Sequence, residues 1–333
     1  MFERNPTETV HPVETQPRLS ILIVSFNTRE LTVACLRSVY SGGAGTTPFE
    51  VLVVDNASVD GSVEAIRESF PGSQYPSLRL IELNKNIGFA AANNFAAGFA
   101  RGEYVLLLNP DTVVLDRALE TLVVFADLNP EYGIYGGSTL FADGSRNPTA
   151  GWMKASVWSM FCIAVGIAKL FRRSRLFNPE SLEGWSWDGP RTVDIVTGCL
   201  LMMRKRDWDC LGGFDEQFFM YGEDADLCLR AAEAGLPAVL VPEAQIVHYG
   251  GASEPVRSDK TVRLFRAKVQ LFRAHYGPLR ATLLVEMLRV WCLVRIAMFG
   301  LAQPMKRSAR KRRQEWTEIW QRRIDWELRE VVT

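Results

Sequence analysis

The segment LLLNPDT, residues 106–112, ends an apolar run with an amide, a proline and a carboxylate. The leucines are typical of a buried strand, which places Asp111 at the tip of that strand. A carboxylate there can hold a divalent cation, because Mg²⁺ and Mn²⁺ bind carboxylate oxygens and bridge them to phosphates. The alternative is a cap: Asp111 precedes a predicted helix and could accept hydrogen bonds from the amides of its first turn.

Polar side chains follow each of the first four apolar runs. The carboxyl ends of parallel strands meet at one edge of a sheet, where ligands gather in such folds. Any one of these residues could be an ordinary loop residue, but four successive runs that end in this way indicate a binding edge. The residues are Ser25 and Asn27, Asp55 and Asn56, Asn84 and Asn86, and Asn109 and Asp111.

Elements that would position these residues alternate along residues 19–128. Apolar runs alternate with segments of helical periodicity, which predicts an α/β domain whose mostly parallel sheet is covered on both faces. The predicted strands are 19–25, 50–54, 78–83 and 104–109, and the predicted helices are 28–40, 62–70, 88–102 and 115–128.

The alternation changes after Gly136. The pattern predicts a hairpin turn at Asp143-Gly144, one strand over 192–203 and a helix over 223–233. A short strand over 238–242 then leads to a loop that contains His248.

The loop after the first strand, SFNTRE, lacks the glycine patterns that cradle phosphates. It contains neither GxGxxG nor GxxxxGK[ST], nor the glycine-rich, arginine-bearing loop of sugar-nucleotide pyrophosphorylases. A nucleotide would therefore need another means of holding its diphosphate, and a divalent metal with oxygen ligands would be one.

The composition sets broad limits. The chain has 333 residues, 47% of them hydrophobic, and no formal net charge, so no global field attracts nucleic acid. Its six cysteines show no CxxC or zinc spacing and are expected to be reduced thiols of a cytosolic protein. The expected domains are a flexible lead-in, 1–18, a main domain, 19–275, and a helical, basic extension, 276–333.

Several motifs in order along residues 19–275 resemble the inverting glycosyltransferases of family 2, which have the GT-A fold. The likeness is strongest to bacterial rhamnosyltransferases that act on lipid-linked glycans. It implies a Rossmann-like, mostly parallel sheet with helices on both faces, here followed by C-terminal amphipathic helices. The motifs are VSFNTRE, VVDNASVDGS, NKNIGFAAANN, LLLNPDT, TGCLLMMR, GGFDEQFFMYGEDADLCLR and HYGGAS.

The resemblance implies a site for the donor nucleotide. Asp55 is expected to accept hydrogen bonds from the base, and NPD occupies the place of the family's DXD motif. Asp111 matches the metal-binding aspartate, whereas Asn109 replaces the first aspartate and removes one negative charge. The implied nucleotide-binding residues are Ser25, Phe26, Asn27, Asp55, Asn56, Ser58, Asn86, Gly88, Asn93, Asn109, Pro110 and Asp111.

The resemblance also implies the catalytic and metal-binding residues. Inverting transfer needs a carboxylate that takes the proton of the acceptor hydroxyl, and Asp224 is expected in this role, with Glu223 orienting it or the acceptor. The helix start should favour ionised Asp224, and the neighbouring Asp226 is expected only to complement the helix dipole. His248 is expected to share the metal with Asp111.

The resemblance places Gly198 and Cys199 beside the acceptor. Small residues at these two positions would leave room for it.

Two apolar segments with basic edges could lie at a membrane surface. Residues 155–171 are followed by Arg172, Arg173 and Arg175, and residues 282–303 by KRSARKRR, 306–313. Both segments are interrupted by charges and are poor candidates for spanning a bilayer. Interfacial attachment is expected, with a core helix, an acceptor groove or a protein interface as the alternatives.

The expected function is metal-dependent, inverting transfer of L-rhamnose from dTDP-rhamnose to a polyprenyl-diphosphate-linked glycan in cell-envelope polysaccharide synthesis. The expected cofactor is Mn²⁺ or Mg²⁺, and the expected location is the inner face of the cytoplasmic membrane. Alternatives are a UDP-hexose transferase of the same fold, a nucleotidyltransferase, and a catalytically silent nucleotide-binding scaffold at the membrane. An oligomer is compatible with the amphipathic C-terminal region.

Overall fold

A mixed, mostly parallel sheet forms the centre of the fold. The computed structural model describes residues 16–250, 257–302 and 307–327, so that residues 1–15 of the expected lead-in lie outside the described residues. The strands are β1 Leu19–Ser25, β2 Phe49–Asp55, β3 Leu78–Glu82, β4 Tyr104–Leu108, β5 Thr112–Val114, β6 Ile134–Leu140, β7 Arg146–Asn147, β8 Gly151–Trp152, β9 Arg191–Val193, β10 Ile195–Val196, β11 Leu200–Arg204 and β12 Ala238–His248.

Helices cover both faces of this sheet and form the C-terminal region. They are α1 Arg29–Ser38, α2 Ser62–Ser69, α3 Phe89–Ala97, α4 Ala118–Leu128, α5 Val157–Val165, α6 Ile167–Leu170, α7 Lys205–Leu211, α8 Glu223–Glu233, α9 Arg257–His275, α10 Pro278–Ala302, α11 Arg307–Gln321 and α12 Arg323–Glu327. A π-helical turn, Val39–Gly43, follows α1, and a 3₁₀ turn, Pro148–Ala150, precedes β8.

The strand order of the main sheet is β3-β2-β1-β4-β11-β6-β12-β5. The first four strands are parallel, β11 runs antiparallel to β4 and β6, and β12 runs parallel to β6. As a result, the carboxyl ends of β1, β2 and β4 lie on the same edge as the start of β11. The expected α/β fold class is confirmed.

Two hydrophobic cores lie on opposite faces of the sheet because successive strand residues point to opposite sides. Leu22 and Leu107 belong to the core that α3 and α8 cover, and Ile21 and Leu106 belong to the core under α1, α2 and α4. Both faces are apolar, which explains why the central strands read as continuous hydrophobic runs.

A third core joins the C-terminal helices to α5. Met160 of α5 packs with side chains of α9, α10 and α12, among them Phe265, Leu288 and Trp326. The Tyr276 hydroxyl also donates to the Ala155 carbonyl at 2.7 Å. Within the described ranges, no helix is long and apolar enough to cross a membrane.

The prediction of one strand over 192–203 was wrong. The segment forms β9, β10 and β11, with a break at 197–199. Asp194 separates β9 from β10, and Thr197 and Gly198 interrupt the apolar run before β11, so the sequence did contain a signal for the breaks. The helix predicted over 88–102 ends earlier, at Ala97, and β12 is longer than predicted and includes His248 as its last residue.

Candidate active site

A cavity of about 440 Å³ opens at the carboxyl ends of β1, β2 and β4, beside the start of β11. The start of α8 and the end of β12 complete its wall. The sheet order brings the end of β4 and the start of β11 together, because the two strands are antiparallel and Leu200 is paired with Leu108.

The structure places most of the expected site residues on this cavity. Those that line it are Phe26, Asn56, Asn86, Asn109, Pro110, Asp111, Gly198, Cys199, Glu223, Asp224 and His248. Those that do not line it are Ser25, Asn27, Asp55, Ser58, Gly88 and Asn93.

Asp111 and His248 meet because β12 pairs with β5. His248 lies opposite Thr112, and the Tyr249 amide donates to the Asp111 carbonyl at 3.0 Å. The His248 Nε2 and Asp111 Oδ1 atoms are 3.3 Å apart. Burial lowers the pKa of His248, but the Asp111 carboxylate and the Cys199 sulfur outweigh it and raise the pKa to about 10.

This pair fits a divalent cation as two of its ligands. Cis ligands of an octahedral Mg²⁺, each at about 2.1 Å, lie about 3 Å apart, close to the separation of these two atoms. A cation would replace the proton that His248 shares with Asp111. Within the described ranges, no group of three or more His, Cys, Asp or Glu side chains could hold a metal. The remaining ligands would therefore be a substrate diphosphate and water.

Asp224 is held in place by two backbone amides. Gly198 N–H donates to its Oδ2 at 3.0 Å, and Ala225 N–H donates to its Oδ1 at 2.8 Å. Gly198 lies in the break between β10 and β11, and its amide is not used in strand pairing there. This break therefore leaves the Gly198 N–H free to donate a hydrogen bond to Asp224. Burial raises the pKa of Asp224, and these amides only partly offset that rise. The amides at the helix start thus favour ionised Asp224, as expected, but burial outweighs them.

Glu223 lies next to Asp224 in a different environment. Its Oε2 atom is buried and has no hydrogen-bond partner among the described residues. Burial and the neighbouring Asp224 carboxylate raise its pKa well above the ordinary value. At the start of α8, one carboxylate is therefore oriented by amides and the other favours its protonated form.

The loop after β2 is organised by hydrogen bonds to the loop after β1. Asp55 Oδ1 accepts from the Ser58 amide at 2.8 Å, while Asp55 Oδ2 is buried without a partner among the described residues. The Asn27 amide donates to Ser58 Oγ at 2.9 Å, and Asn27 Oδ1 accepts from the Val59 amide at 2.8 Å. These contacts hold the loop in place and leave one oxygen of Asp55 without a hydrogen-bond partner among the described residues, although Asp55 does not line the cavity.

Asn56 and Asn86 shape the neighbouring turn. Asn56 donates to Asn86 Oδ1 at 3.0 Å and accepts from the Ile87 amide at 2.9 Å. The turn ends at Gly88, whose φ is 91°, and a Cβ there would lie 2.7 Å from the Phe219 carbonyl oxygen. The Phe89 amide donates to the same oxygen at 2.8 Å, so the turn is bonded to the loop that leads into α8.

Residues 20–211, more than half of the chain, match the family described as Glycosyl transferase family 2. The chain belongs to glycosyl transferase family 2. Residues 182–250 also match the N-terminal domain of galactosyltransferase. The family expected from the motifs is thus confirmed, and the chain is a glycosyltransferase.

Relatives of this glycosyltransferase include two bacterial rhamnosyltransferases. N-acetylglucosaminyl-diphospho-decaprenol L-rhamnosyltransferase of Mycobacterium tuberculosis is 30% identical over 220 residues, which cover 61% of this chain and 67% of that protein. Rhamnosyltransferase WbbL of Escherichia coli is 28% identical over 172 residues, which cover 49% of this chain and 61% of that protein.

A solved structure shares the fold of the glycosyltransferase. The mannosyltransferase PcManGT of Pyrobaculum calidifontis, in complex with GDP-Man and Mn²⁺, is 19% identical with a TM-score of 0.58. The match covers 95% of this chain and 88% of that one.

The glycosyltransferase cavity also contains residues that were missed at the level of sequence. Lys260, near the start of α9, lines it, and its Nζ lies 5.8 Å from the centroid of the Tyr221 ring. Lys260 lies 36 residues after Asp224, and no motif marks it. The other missed residues on the wall are Val24, Thr28, Asn147, Thr149, Thr197, Met220, Tyr221 and Gly250.

Asp226 does more than complement the helix dipole. Its buried side chain accepts from Arg230 Nε at 2.7 Å and lies 2.7 Å from His275 Nε2. Burial opposes its ionisation, but these two partners outweigh burial and lower the pKa of Asp226. The contact with His275 connects α8 of the glycosyltransferase to the end of α9.

Proposed function

We propose that this glycosyltransferase transfers L-rhamnose from dTDP-rhamnose, with inversion, to a polyprenyl-diphosphate-linked glycan at a membrane surface. The observation that carries the proposal is the arrangement of the cavity, where Asp224 and the Asp111–His248 pair line one space. The two rhamnosyltransferase relatives support the sugar, and the name of the mycobacterial one supports a lipid-linked acceptor.

Asp224 acts as the general base. It takes the proton of the acceptor hydroxyl while that oxygen bonds to the anomeric carbon and the bond to the nucleoside diphosphate breaks on the opposite side. Its two amide donors fix the direction of its lone pairs. Glu223, in its protonated form, donates a hydrogen bond to the acceptor and positions it.

Positively charged groups stabilise the leaving diphosphate. Lys260 is the lysine on the cavity wall, and Asp111 and His248 are the residues that would hold Mn²⁺ or Mg²⁺. A bound divalent cation neutralises charge on a leaving phosphate oxygen. At the other end of the donor, the unpartnered Oδ2 of Asp55 accepts a hydrogen bond from an N–H of the pyrimidine base, which removes the cost of burying it alone.

The first test compares wild type with Asp224→Asn, using dTDP-rhamnose and a lipid-linked acceptor analogue. Loss of a general base is expected to reduce kcat by about 10²- to 10⁴-fold and to leave the dissociation constant of dTDP within about twofold. Full activity of Asp224→Asn would refute the assignment of the base.

A UDP-hexose donor is the second candidate, favoured by the galactosyltransferase match over residues 182–250. A thermal-shift series with dTDP, UDP, GDP and CMP, each with Mn²⁺ or EDTA, separates the two donors. Under the proposal, dTDP with Mn²⁺ raises the melting temperature most, because a ligand that binds only the folded state stabilises it by mass action. Greater stabilisation by UDP than by dTDP would favour a UDP-hexose as the donor. Equal stabilisation with Mn²⁺ and with EDTA would contradict the proposed metal dependence.

A further inference from the structure

A cluster of exposed apolar side chains lies on the segment that contains α5 and α6. The exposed fractions are 79% for Leu170, 62% for Leu176, 51% for Phe171 and 44% for Trp158. The opposite side of α5, including Met160 and Cys162, is buried. The segment is therefore anchored to the protein by one side and presents large apolar side chains on the other.

Ring contacts make the cluster one continuous surface. Trp158 stacks on Phe161 with centroids 5.7 Å apart and lies 6.4 Å from Phe177, which is 5.1 Å from Phe171. The indole N–H of Trp158 donates to the Leu176 carbonyl at 2.7 Å, so its polar atom is satisfied within the protein. Neighbouring exposed apolar side chains of this kind mark an interaction site, unlike hydrophobic residues scattered singly over a surface.

Positive side chains border the same cluster. Lys169, Arg172, Arg173 and Arg175 are exposed, and within the described ranges none of them forms an ion pair with a carboxylate. Although the chain as a whole carries no net charge, this surface therefore carries four unpaired positive charges. Its charge is complementary to an anionic partner.

We infer that this aromatic-basic surface, formed by the exposed side chains of residues 158–176, docks on anionic phospholipid. Aromatic and leucine side chains would enter the headgroup boundary, while the lysine and arginines reach the phosphates.

The position of the surface suits the proposed lipid-linked acceptor, on which this inference rests in part. Thr149 lines the cavity and Trp158 is nine residues further along the chain. Even fully extended, nine residues span about 30 Å, which is the upper limit for the separation of these two residues.

The test measures co-sedimentation of the full chain with vesicles of phosphatidylglycerol and phosphatidylcholine and with vesicles of phosphatidylcholine alone. Wild type is expected to bind the anionic vesicles at least tenfold more tightly than the neutral ones. Two double variants, Leu170→Gln with Leu176→Gln and Arg172→Glu with Arg173→Glu, should each weaken binding at least tenfold. Both change exposed side chains, and circular dichroism checks that the variants fold.

Matched controls change similar side chains elsewhere. Phe95→Ala with Leu128→Ala alters exposed apolar residues of α3 and α4, and Arg37→Glu with Arg206→Glu reverses two exposed charges. Both controls should bind as wild type does. The inference is overturned if wild type does not prefer anionic vesicles, or if the controls lose as much binding as the surface variants.

Two further readouts separate this inference from its alternatives. Sedimentation velocity without lipid would reveal self-association, and its loss in the surface variants would identify a protein interface and overturn the lipid assignment. Activity on a short-chain, water-soluble acceptor should be unchanged in the surface variants. If that activity is absent in wild type while vesicle binding follows the expected pattern, the proposed function fails and the docking surface stands.

Discussion

Two adjacent carboxylates at the start of α8 differ because their surroundings differ. Asp224 accepts hydrogen bonds from two amides, whereas the Oε2 atom of Glu223 has no partner within the described residues. Environments that separate the pKa values of neighbouring carboxyl groups also separate their acid and base roles. The helix start therefore contains a candidate proton acceptor and a candidate hydrogen-bond donor side by side.

The pH dependence of the rate should follow this pair. Burial raises the pKa of Asp224, so the acid limb of kcat/KM should have its midpoint above the ordinary aspartate value of 3.8, with activity rising as pH rises. Glu223→Gln should leave the acid limb in place, because Glu223 stays protonated while Asp224 titrates. If the limb disappears in Glu223→Gln, the proton acceptor is Glu223 instead.

We expect Lys260 to stabilise the negative charge of the leaving diphosphate and to have little effect on the stability of the fold. Lys260→Gln is expected to reduce kcat/KM about 100-fold, which is typical when one charged or hydrogen-bonding group facing a developing negative charge is removed. Lys260→Arg should recover most of the activity. Steady-state kinetics with the proposed donor measure both variants, and Lys268→Gln, further along α9, is the matched control. A loss of less than threefold in Lys260→Gln would contradict the role.

At the scale of elements, the site residues that could be predicted from the sequence are those at the ends of the parallel strands. The polar residues after β1, β2 and β4 converge because parallel strands end at one edge, and that geometry could be inferred from apolar runs alone. Asp111, Asn109 and Asn56 were located in this way, whereas Phe26 was expected only from the family resemblance. The break at 197–199 was missed although Thr197 and Gly198 interrupt the apolar run, because a single glycine also fits a bulge within one continuous strand.

Lys260 and Asn147 were missed for a different reason. They reach the cavity through the packing of α9 and of the β7 hairpin, and such long-range placement leaves no local pattern in the sequence. The same holds for the His275–Asp226 contact, which joins residues 49 positions apart. Its position in the first turn of a helix suggested that Asp226 only complements the helix dipole, but tertiary packing buries it.

Removing the charge of Asp226 should destabilise the junction of α8 and α9. Its side chain is only 3% exposed, and it pairs with both Arg230 and His275. Breaking a buried pair typically costs about 3 kcal/mol or more, so Asp226→Asn should lower the free energy of unfolding by that amount at pH 7. Urea denaturation measures the change.

The matched control for this prediction is Asp209→Asn, which removes an exposed partner of Lys205 and should cost less than about 1 kcal/mol. If both variants lose the same stability, burial of Asp226 has no special effect.

At the scale of the whole molecule, the C-terminal helices share a core with α5 and α9. Phe265 and Phe272 of α9, Met160 of α5 and Leu288 of α10 belong to one hydrophobic cluster. The expected boundary at residue 275 therefore passes through a packed interior. The connection also means that the region around the cavity and the C-terminal helices should unfold together.

A truncated chain that ends at residue 275 tests this expectation. It would expose Met160, Phe265 and Phe272 of the third core, and a contiguous exposed apolar patch promotes aggregation. Soluble expression of the truncated chain should be strongly reduced relative to the full chain. A soluble, monomeric truncated protein with the melting temperature of the full chain would instead show that residues 276–333 form an independent unit.

The hydrogen bond from the Phe89 amide to the Phe219 carbonyl limits how the two loops it joins can change during evolution. Gly88 leaves the space that this close approach needs, since a Cβ there would lie 2.7 Å from the Phe219 oxygen. The turn at 86–89 and the loop that leads into α8 are therefore expected to change together. In a library randomised at 86–89 and 219–222 and selected for activity, replacements of Gly88 should be recovered only together with changes in the second loop.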